Sequence, residues 1–400
     1  MAGHSGAGSR PAFWNQLGFG EFPVLLAPLA GVSDHPFRRV CARAGATLTY
    51  VEMLSATAIV FRSKRTFEMM RRHETETRLG VQLTGKSAAE VGEAVALIDD
   101  QPFDTVDLNM GCPVNKVTRA GCGSAILRDP ERVYQTVKAA RAATAKPLSA
   151  KIRLGWDKGS RNFLETAAAV ESGGADFMTV HGRLRSDDYS APVDLEAIAT
   201  VCKAVRIPVF ANGNIFSLED GAHVRRVTGC AGIMVSRGAL GNPWLFRDLS
   251  LGREVPVTLG EWRETVRDHL EWQQDEYGGH GNGAVCMRKH LLWYAKGWPG
   301  VKPLREKINT AESMSGMLAL IDEFAGSLAA LGCVERQSLV SGFAGDSSRF
   351  TWDPKYEMDR GLDRGVGDDG LVDLGSSPSA PQTTGFPRPA IPGSDAVSIL

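Results

Sequence analysis

Residues 104–157 read DTVDLNMGCPVNKVTRAGCGSAILRDPERVYQTVKAARAATAKPLSAKIRLGWD, and the order of patterns within them decides the fold. DTVDLNM (104–110) is a short, apolar, β-rich segment that stops at Gly111-Cys112-Pro113, where proline can no longer donate to a strand ladder. PERVYQTVKAARAAT (130–144) then repeats its apolar and alanine positions at helical spacing, and LSAKIRL (148–154) returns to a strand. A strand, a helix and a strand in that order give two parallel strands with the helix on one face. Polar residues collect at the strand ends: Asn109 and Cys112 on the first, Lys151 and Arg153 on the second.

The same unit recurs outward in both directions. Upstream lie VLLAPL (24–29), TLTYVEM (47–53) and GVQLT (80–84); downstream lie DFMTVHG (176–182), IPVFANG (207–213) and AGIMVS (231–236). Eight strands with helix-length pieces between them, such as NFLETAAAVESGG (162–174), predict a (β/α)8 TIM barrel rather than an open doubly wound sheet. The barrel is expected over 21–250, behind an N-terminal extension at 1–20. Gly45-Ala46 and Gly173-Gly174 fall where helices should stop. From 257 the strand pattern ends. TLGEWRETVRDHLEWQQDEYG, opened by Thr258, reads as an amphipathic helix, and two or three more follow in a small all-helical domain at 257–333. The remainder, 337–400, is rich in Gly, Pro, Ser and Asp and reads as a disordered acidic tail.

Composition narrows the class. Hydrophobic residues make up 43% of the 400, enough for a large core, yet no apolar run approaches the roughly 20 residues of a membrane span. No secretory signal is read at the start, and the seven scattered cysteines contain no CxxC pair, which argues against a zinc site or a disulfide framework. A cytoplasmic protein with reduced thiols and no metal is expected. The net charge of −1 hides an asymmetry: residues 334–400 carry six Lys/Arg against ten Asp/Glu, so the body is slightly basic.

In a TIM barrel, function sits at the C-terminal ends of the strands. Those ends here carry Gln82, Asn109, Cys112, Lys151, Arg153, His181, Asn212 and Arg237. The loops after strands seven and eight suit an anion: Gly213 and Gly238 let the backbone approach, and Arg237 can grip a phosphate with two hydrogen bonds. Asn212-Gly213 alone also fits a plain turn. With Arg237 and Lys151 it points to a phosphate-bearing cofactor such as FMN, lying across the mouth with its ring over strands one, three and four. Cys112, raised by its Gly-Cys-Pro corner, is the candidate reactive thiol. Cys122, in the loop Ala120-Gly121-Cys122-Gly123-Ser124, competes with it and also fits a small residue in a tight turn. The other five cysteines read as inert apolar residues.

The segments LAPLAGVSDHPFRRVC (26–41), DLNMGCPVNKVTRAGCGSAIL (107–127), KIRLGWD (151–157), VHGRLR (180–185), IPVFANGNI (207–215), IMVSRGALGNPWLF (233–246) and MRKHLLWY (287–294) together resemble the tRNA-dihydrouridine synthases. The resemblance is closest to the bacterial B-type branch and spans about 24–325. It implies FMN as prosthetic group, NADPH as electron donor, and a helical domain that helps to hold tRNA. It implies Cys112 as the general acid. FMN contacts would come from Leu29, Ala30, Gly31, Gln82, Lys151, His181, Asn212, Gly213, Asn214, Ser236 and Arg237, and Asn109 would face flavin and uracil. Leu29 stands where the family commonly has methionine, Asn214 where it has aspartate, Ser236 where it has glycine, and Leu195 where tryptophan is frequent. Residues 334–400 have no counterpart.

The implied reaction reduces the uracil C5=C6 bond, with hydride from flavin N5 to C6 and a proton from Cys112 to C5. Lys151 and His181 would stabilise developing negative charge. The uridine must leave its stack to reach the flavin. Arg288 and Lys289, with Lys296, Lys302, Arg305 and Lys307, are the cations expected to meet tRNA phosphates. Trp293 and Tyr294 either assist them or pack between helices. A monomer is expected. Two rival readings stand beside this one. A dihydroorotate or dihydropyrimidine dehydrogenase-like flavoenzyme acting on free bases would have no need of the helical unit. A catalytically silent RNA-binding protein would have no need of intact Cys112, Lys151, His181 and Arg237.

Overall fold

The computed structural model describes residues 10–279 and 281–336. The tail at 337–400 and residues 1–9 lie outside the described residues. Among the described residues there are nine strands: β1 (Val24–Leu26), β2 (Thr49–Tyr50), β3 (Leu54–Ser55), β4 (Leu79–Thr84), β5 (Thr105–Met110), β6 (Leu148–Arg153), β7 (Phe177–His181), β8 (Val209–Asn212) and β9 (Gly232–Val235). All pairings are parallel, in the order β1-β9-β8-β7-β6-β5-β4-β2, with β3 also on β4. The ring closes between its first two staves: the Leu26 N–H donates to the Leu48 carbonyl and the Thr47 N–H to the Val24 carbonyl, each at 2.9 Å. The result is the eight-stave TIM barrel.

The stave expected at 47–53 is not one strand. It pairs with β4 at Thr49–Tyr50, leaves the ladder, and returns at Leu54–Ser55. Within the interruption Glu52 turns its carboxylate to the Gly31 N–H, and Met53 lines the mouth.

Helices wrap the barrel with capped starts. Asp129 accepts the N–H groups of Glu131 and Arg132 ahead of Pro130–Ala143, and Asp194 accepts that of Ala197 ahead of Leu195–Ala204. Ser217 and Asp220 form a reciprocal capping box for Leu218–Thr228. Between this shell and the strands lies a continuous apolar core that includes Phe37, Val81, Val106, Ile152, Val180 and Ile233.

The extension is structural where it is described. The short helix Ala12–Gln16 lies across the N-terminal end of the barrel and delivers Phe13, Trp14, Leu17 and Phe19 onto Tyr50, Phe177 and Phe210. Phe13 stacks on Phe177 with ring centroids 5.5 Å apart, and Phe19 lies 5.6 Å from Phe210. The Trp14 indole N–H is satisfied by the Gly20 carbonyl at 3.0 Å.

Four helices, Leu259–Tyr277, Asn282–Tyr294, Val301–Thr310 and Met314–Ala330, enclose a second core around Trp262, Met287, Leu291, Tyr294, Met317 and Ile321. Thr258 caps the first, accepting the Glu261 N–H as its sequence position suggests. This unit leans on the barrel helix His35–Arg43: the Arg39 guanidinium lies 3.9 Å from the Trp272 ring centroid, and Phe37 packs near His269 and His290. Trp293 and Tyr294 are both buried, so they pack rather than offer rings to a base.

Candidate active site

Side chains alternate along the strands, and those facing inward form layers. Above the aromatic floor sits Asp107, whose carboxylate accepts from the Ser149 hydroxyl and from the Gln82 amide, each at 2.6 Å. The Gln82 carbonyl accepts from the Asn109 amide at 2.7 Å. The Asn109 carbonyl in turn accepts the N–H groups of Gly111 (3.1 Å) and Cys112 (2.9 Å). One chain of hydrogen bonds thus runs from the middle of the barrel to the corner that carries the thiol. Its direction fixes both amides, since a flipped Gln82 would set its carbonyl against the Asp107 acceptor. The corner is held elsewhere too: the Arg153 Nε donates to the Gly111 carbonyl at 2.8 Å, and the Ser124 N–H to the Cys112 carbonyl at 3.0 Å.

Above this layer opens a cavity of about 140 Å³. It gathers Leu29, Ala30, Gln82, Asn109, Cys112, Lys151, Arg153, His181, Asn212, Gly213, Asn214, Ser236 and Arg237 from seven loops and strand ends. Of the residues expected at a cofactor, Gly31 alone lies off its wall. Cys122 is not on the wall either; burial pushes its thiol up to about 11. Gly238 lines the cavity, but its missing side chain has a packing cause, because a Cβ would stand 2.0 Å from the Ile215 carbonyl oxygen.

The charge of this wall is one-sided. Lys151, Arg153, Arg183 and Arg237 face it, and no described carboxylate does. Burial, reinforced by Arg153, brings Lys151 down to about 8. Burial and the neighbouring Arg237 bring Arg183 down to about 10. Burial and four surrounding cations hold His181 well below its usual value, so it is neutral near pH 7. The Arg183 guanidinium, which can only donate, lies 3.2 Å from His181 Nε2. Nε2 therefore carries the lone pair and Nδ1 the proton. His181 can donate a hydrogen bond, but it brings no positive charge. Asn214 bridges the two arginines of the outer wall: its Oδ1 accepts from Arg183 at 3.0 Å and from Arg237 at 3.1 Å. Arg237 also lies over the Tyr189 ring, 4.3 Å from its centroid. Asp107 behind Lys151, and Asp187 near Arg153 and Arg183, offset part of this charge, and an incoming anion would offset more.

Asp107 was not singled out by sequence, and Arg183, read as one of the polar residues at the end of strand six, was given no role. The VHGRLR segment held the signal for Arg183, since it follows His181 at the mouth. Asp107 lies mid-strand in DTVDLNM, where a lone acid among apolar residues is the mark of a buried, hydrogen-bonded group.

Arg288 and Lys289 each spend a donor within the chain. Arg288 donates through Nε (2.9 Å) and Nη2 (2.5 Å) to the Ala311 carbonyl, and Lys289 Nζ donates to the Gly31 carbonyl at 2.7 Å. Both are half-buried. The exposed cations of the helical unit include Lys302 and Arg305 instead.

Comparison with known proteins agrees with this architecture. The dihydrouridine synthase family model matches residues 25–329. The chain is 36% identical over 307 residues to a tRNA-dihydrouridine synthase B of Pseudomonas syringae, covering 75% of this chain and 90% of that one. It is 38% identical over 309 residues to a probable tRNA-dihydrouridine synthase of Rhodobacter capsulatus, covering 75% and 93%. A probable tRNA-dihydrouridine synthase 1 of Synechocystis is 38% identical over 310 residues, covering 75% and 85%. The chain belongs to the dihydrouridine synthase family.

Proposed function

We propose that this chain reduces a uridine of tRNA to dihydrouridine in the cytosol, holding FMN in the cationic cavity and drawing electrons from NADPH. The observation that carries the reading is the pairing, in one cavity, of a thiol on a fixed corner with four inward cations and no acid. Family membership supplies the substrate class. Among the described residues no helix is long and apolar enough to cross a membrane.

The residues fit FMN on chemical grounds. Arg183 and Arg237, joined by Asn214, suit a phosphate dianion at the outer wall. Leu29, Ala30, Gln82, Asn109 and Lys151 offer apolar surface and polar atoms to a flat heteroaromatic ring. When bound, the flavin would supply a hydride equivalent to C6 of the uracil. Cys112 Sγ holds the proton that C5 must receive, and its corner cannot drift, because Asn109, Arg153 and Ser124 grip the backbone on three sides. Lys151 Nζ and the His181 Nδ1–H are the donors available to a uracil carbonyl on which negative charge builds. The wall excludes carboxylates, which would repel such charge.

Purified protein should be yellow, with FMN released on denaturation, and should form dihydrouridine when supplied with NADPH and unmodified tRNA. Arg237→Ala should lose FMN by roughly ten- to a hundredfold in affinity, the range of a charged hydrogen bond. Tight flavin binding by that variant, or reduction of free uracil in preference to tRNA, would overturn the reading.

A further inference from the structure

The loop after β1 is held from two sides. Gly31 adopts a left-handed φ of +68°, which presents its N–H and its carbonyl to different parts of the molecule. The N–H donates to Glu52 Oε2, on the interrupted second stave. The carbonyl accepts from Lys289 Nζ at 2.7 Å, across 258 residues of sequence, from the helix Asn282–Tyr294. The loop also closes on itself, with the Ser33 hydroxyl accepting the Leu29 N–H at 2.7 Å and the Val32 N–H reaching the Leu29 carbonyl at 2.9 Å. Its preceding residues, Leu29 and Ala30, form cavity wall. Lys289 has an anchored base, because its neighbour Arg288 ties the same helix to the Ala311 carbonyl.

Glu52 and Asp34 are the acids of this junction, and burial raises them to about 7 and about 6, with Lys289 pulling both down. An ammonium hydrogen-bonded to the Gly31 carbonyl, with two buried acids in its electrostatic reach, is committed in a way that a surface lysine awaiting phosphate is not. The contact also joins the two cores of the molecule at the edge of the cofactor cavity.

We propose that Lys289 and Glu52 are positioning residues: they clamp Gly31 from opposite sides, so that the helical unit sets the stance of the Leu29–Gly31 loop against the cofactor. The identity of that cofactor rests on the preceding reading; the clamp itself does not. It also couples the two ligands. Whatever shifts the Asn282–Tyr294 helix when RNA docks alters the loop, and by linkage a filled cofactor site alters RNA affinity by the same factor.

The test compares Lys289→Met, Glu52→Ala and Glu52→Gln with the natural full-length chain. Amide hydrogen exchange of the cofactor-free chains reads the loop, flavin fluorescence titration reads FMN, and tRNA titrations at several salt concentrations read phosphate contacts. Lys289→Met and Glu52→Ala should each speed exchange at residues 29–33 and weaken FMN about tenfold or more, as loss of a charged hydrogen bond would. Glu52→Gln keeps an acceptor for the Gly31 N–H and should behave close to the natural chain. The salt slope of tRNA binding should not change. If Lys289→Met instead leaves exchange and FMN untouched while lowering that slope by about 0.7–0.9, Lys289 is a phosphate ligand and the clamp is overturned. Should Lys289→Met fail to fold, the contrast between Glu52→Ala and Glu52→Gln decides, and equal behaviour of those two variants overturns it. A natural chain that takes up no flavin would defeat the proposed function alone, since loop exchange still reports on the clamp.

Discussion

At its N-terminal end the barrel is filled with Phe13, Trp14, Phe19, Phe177 and Phe210, every ring buried and the one indole N–H satisfied. At its C-terminal end Lys151, Arg153, Arg183 and Arg237 point into a cavity that no described acid lines. The first arrangement lowers the free energy of the folded chain, through apolar burial and aromatic pairs worth about 0.5–1.5 kcal/mol each. The second raises it, because buried like charges repel and are poorly solvated. Stability and function are therefore separated along the barrel axis, about one strand length apart, and substitutions at the two ends should have opposite signatures.

The sharpest contrast comes from Cys112→Ala. It removes one sulfur from a corner held by its backbone, so folding and FMN binding should persist while turnover falls by about 10²–10⁴-fold. Single-turnover reduction of tRNA uridine measures this, and a near-natural rate would remove Cys112 from the chemistry. At the other end, Trp14→Ala should lower unfolding free energy by about 3–5 kcal/mol in denaturant titrations. The surviving folded fraction should bind FMN normally; weakened binding at constant folded fraction would mean that the two ends are not independent.

Asn214→Asp tests the claim that the cavity is deliberately unbalanced. A carboxylate between Arg183 and Arg237 should stabilise the cofactor-free chain slightly, by up to about 1–2 kcal/mol, and weaken FMN roughly five- to tenfold. Thermal unfolding and flavin titration should move in opposite directions, and tighter FMN binding would contradict the assignment of the phosphate to these arginines. The smallest effect is one of pH. Lys151, brought down to about 8 in the cofactor-free site, is charged below that value and loses its proton above it. FMN affinity should be level near pH 7, where its phosphate is already a dianion, and fall a few-fold by pH 9, by up to about tenfold per unit. Lys151→Met should abolish that slope, and a slope that survives would place the titrating group elsewhere.

Much of this was legible in the chain itself. Strand, helix and strand recur from 24 to 236 with polar residues at the strand ends, and a parallel barrel is the arrangement that brings those ends together. What escaped reading depends on contacts distant in sequence. The break in the second stave has no local signal, and the Gly31–Glu52 contact inside it joins residues 21 apart. Arg288 and Lys289 look like surface cations in MRKHLLWY, and only the packed structure shows their hydrogens given to the carbonyls of Ala311 and Gly31. His181 reads as a potential cation until the four cations around it are assembled in space. The role of the aromatic residues near the start, AFWNQLGF, was hidden for the same reason: a plug has meaning only once there is a barrel to close.

That plug has a kinetic consequence. The aromatic floor leaves the C-terminal mouth as the approach to the cavity, and a nicotinamide and a uracil that must both reach the same flavin atom there exclude one another. Under the proposed chemistry they must take turns, the spent donor departing before the RNA base is admitted. Steady-state velocities should then give parallel lines in double-reciprocal plots, and each reactant, in excess, should obstruct the other.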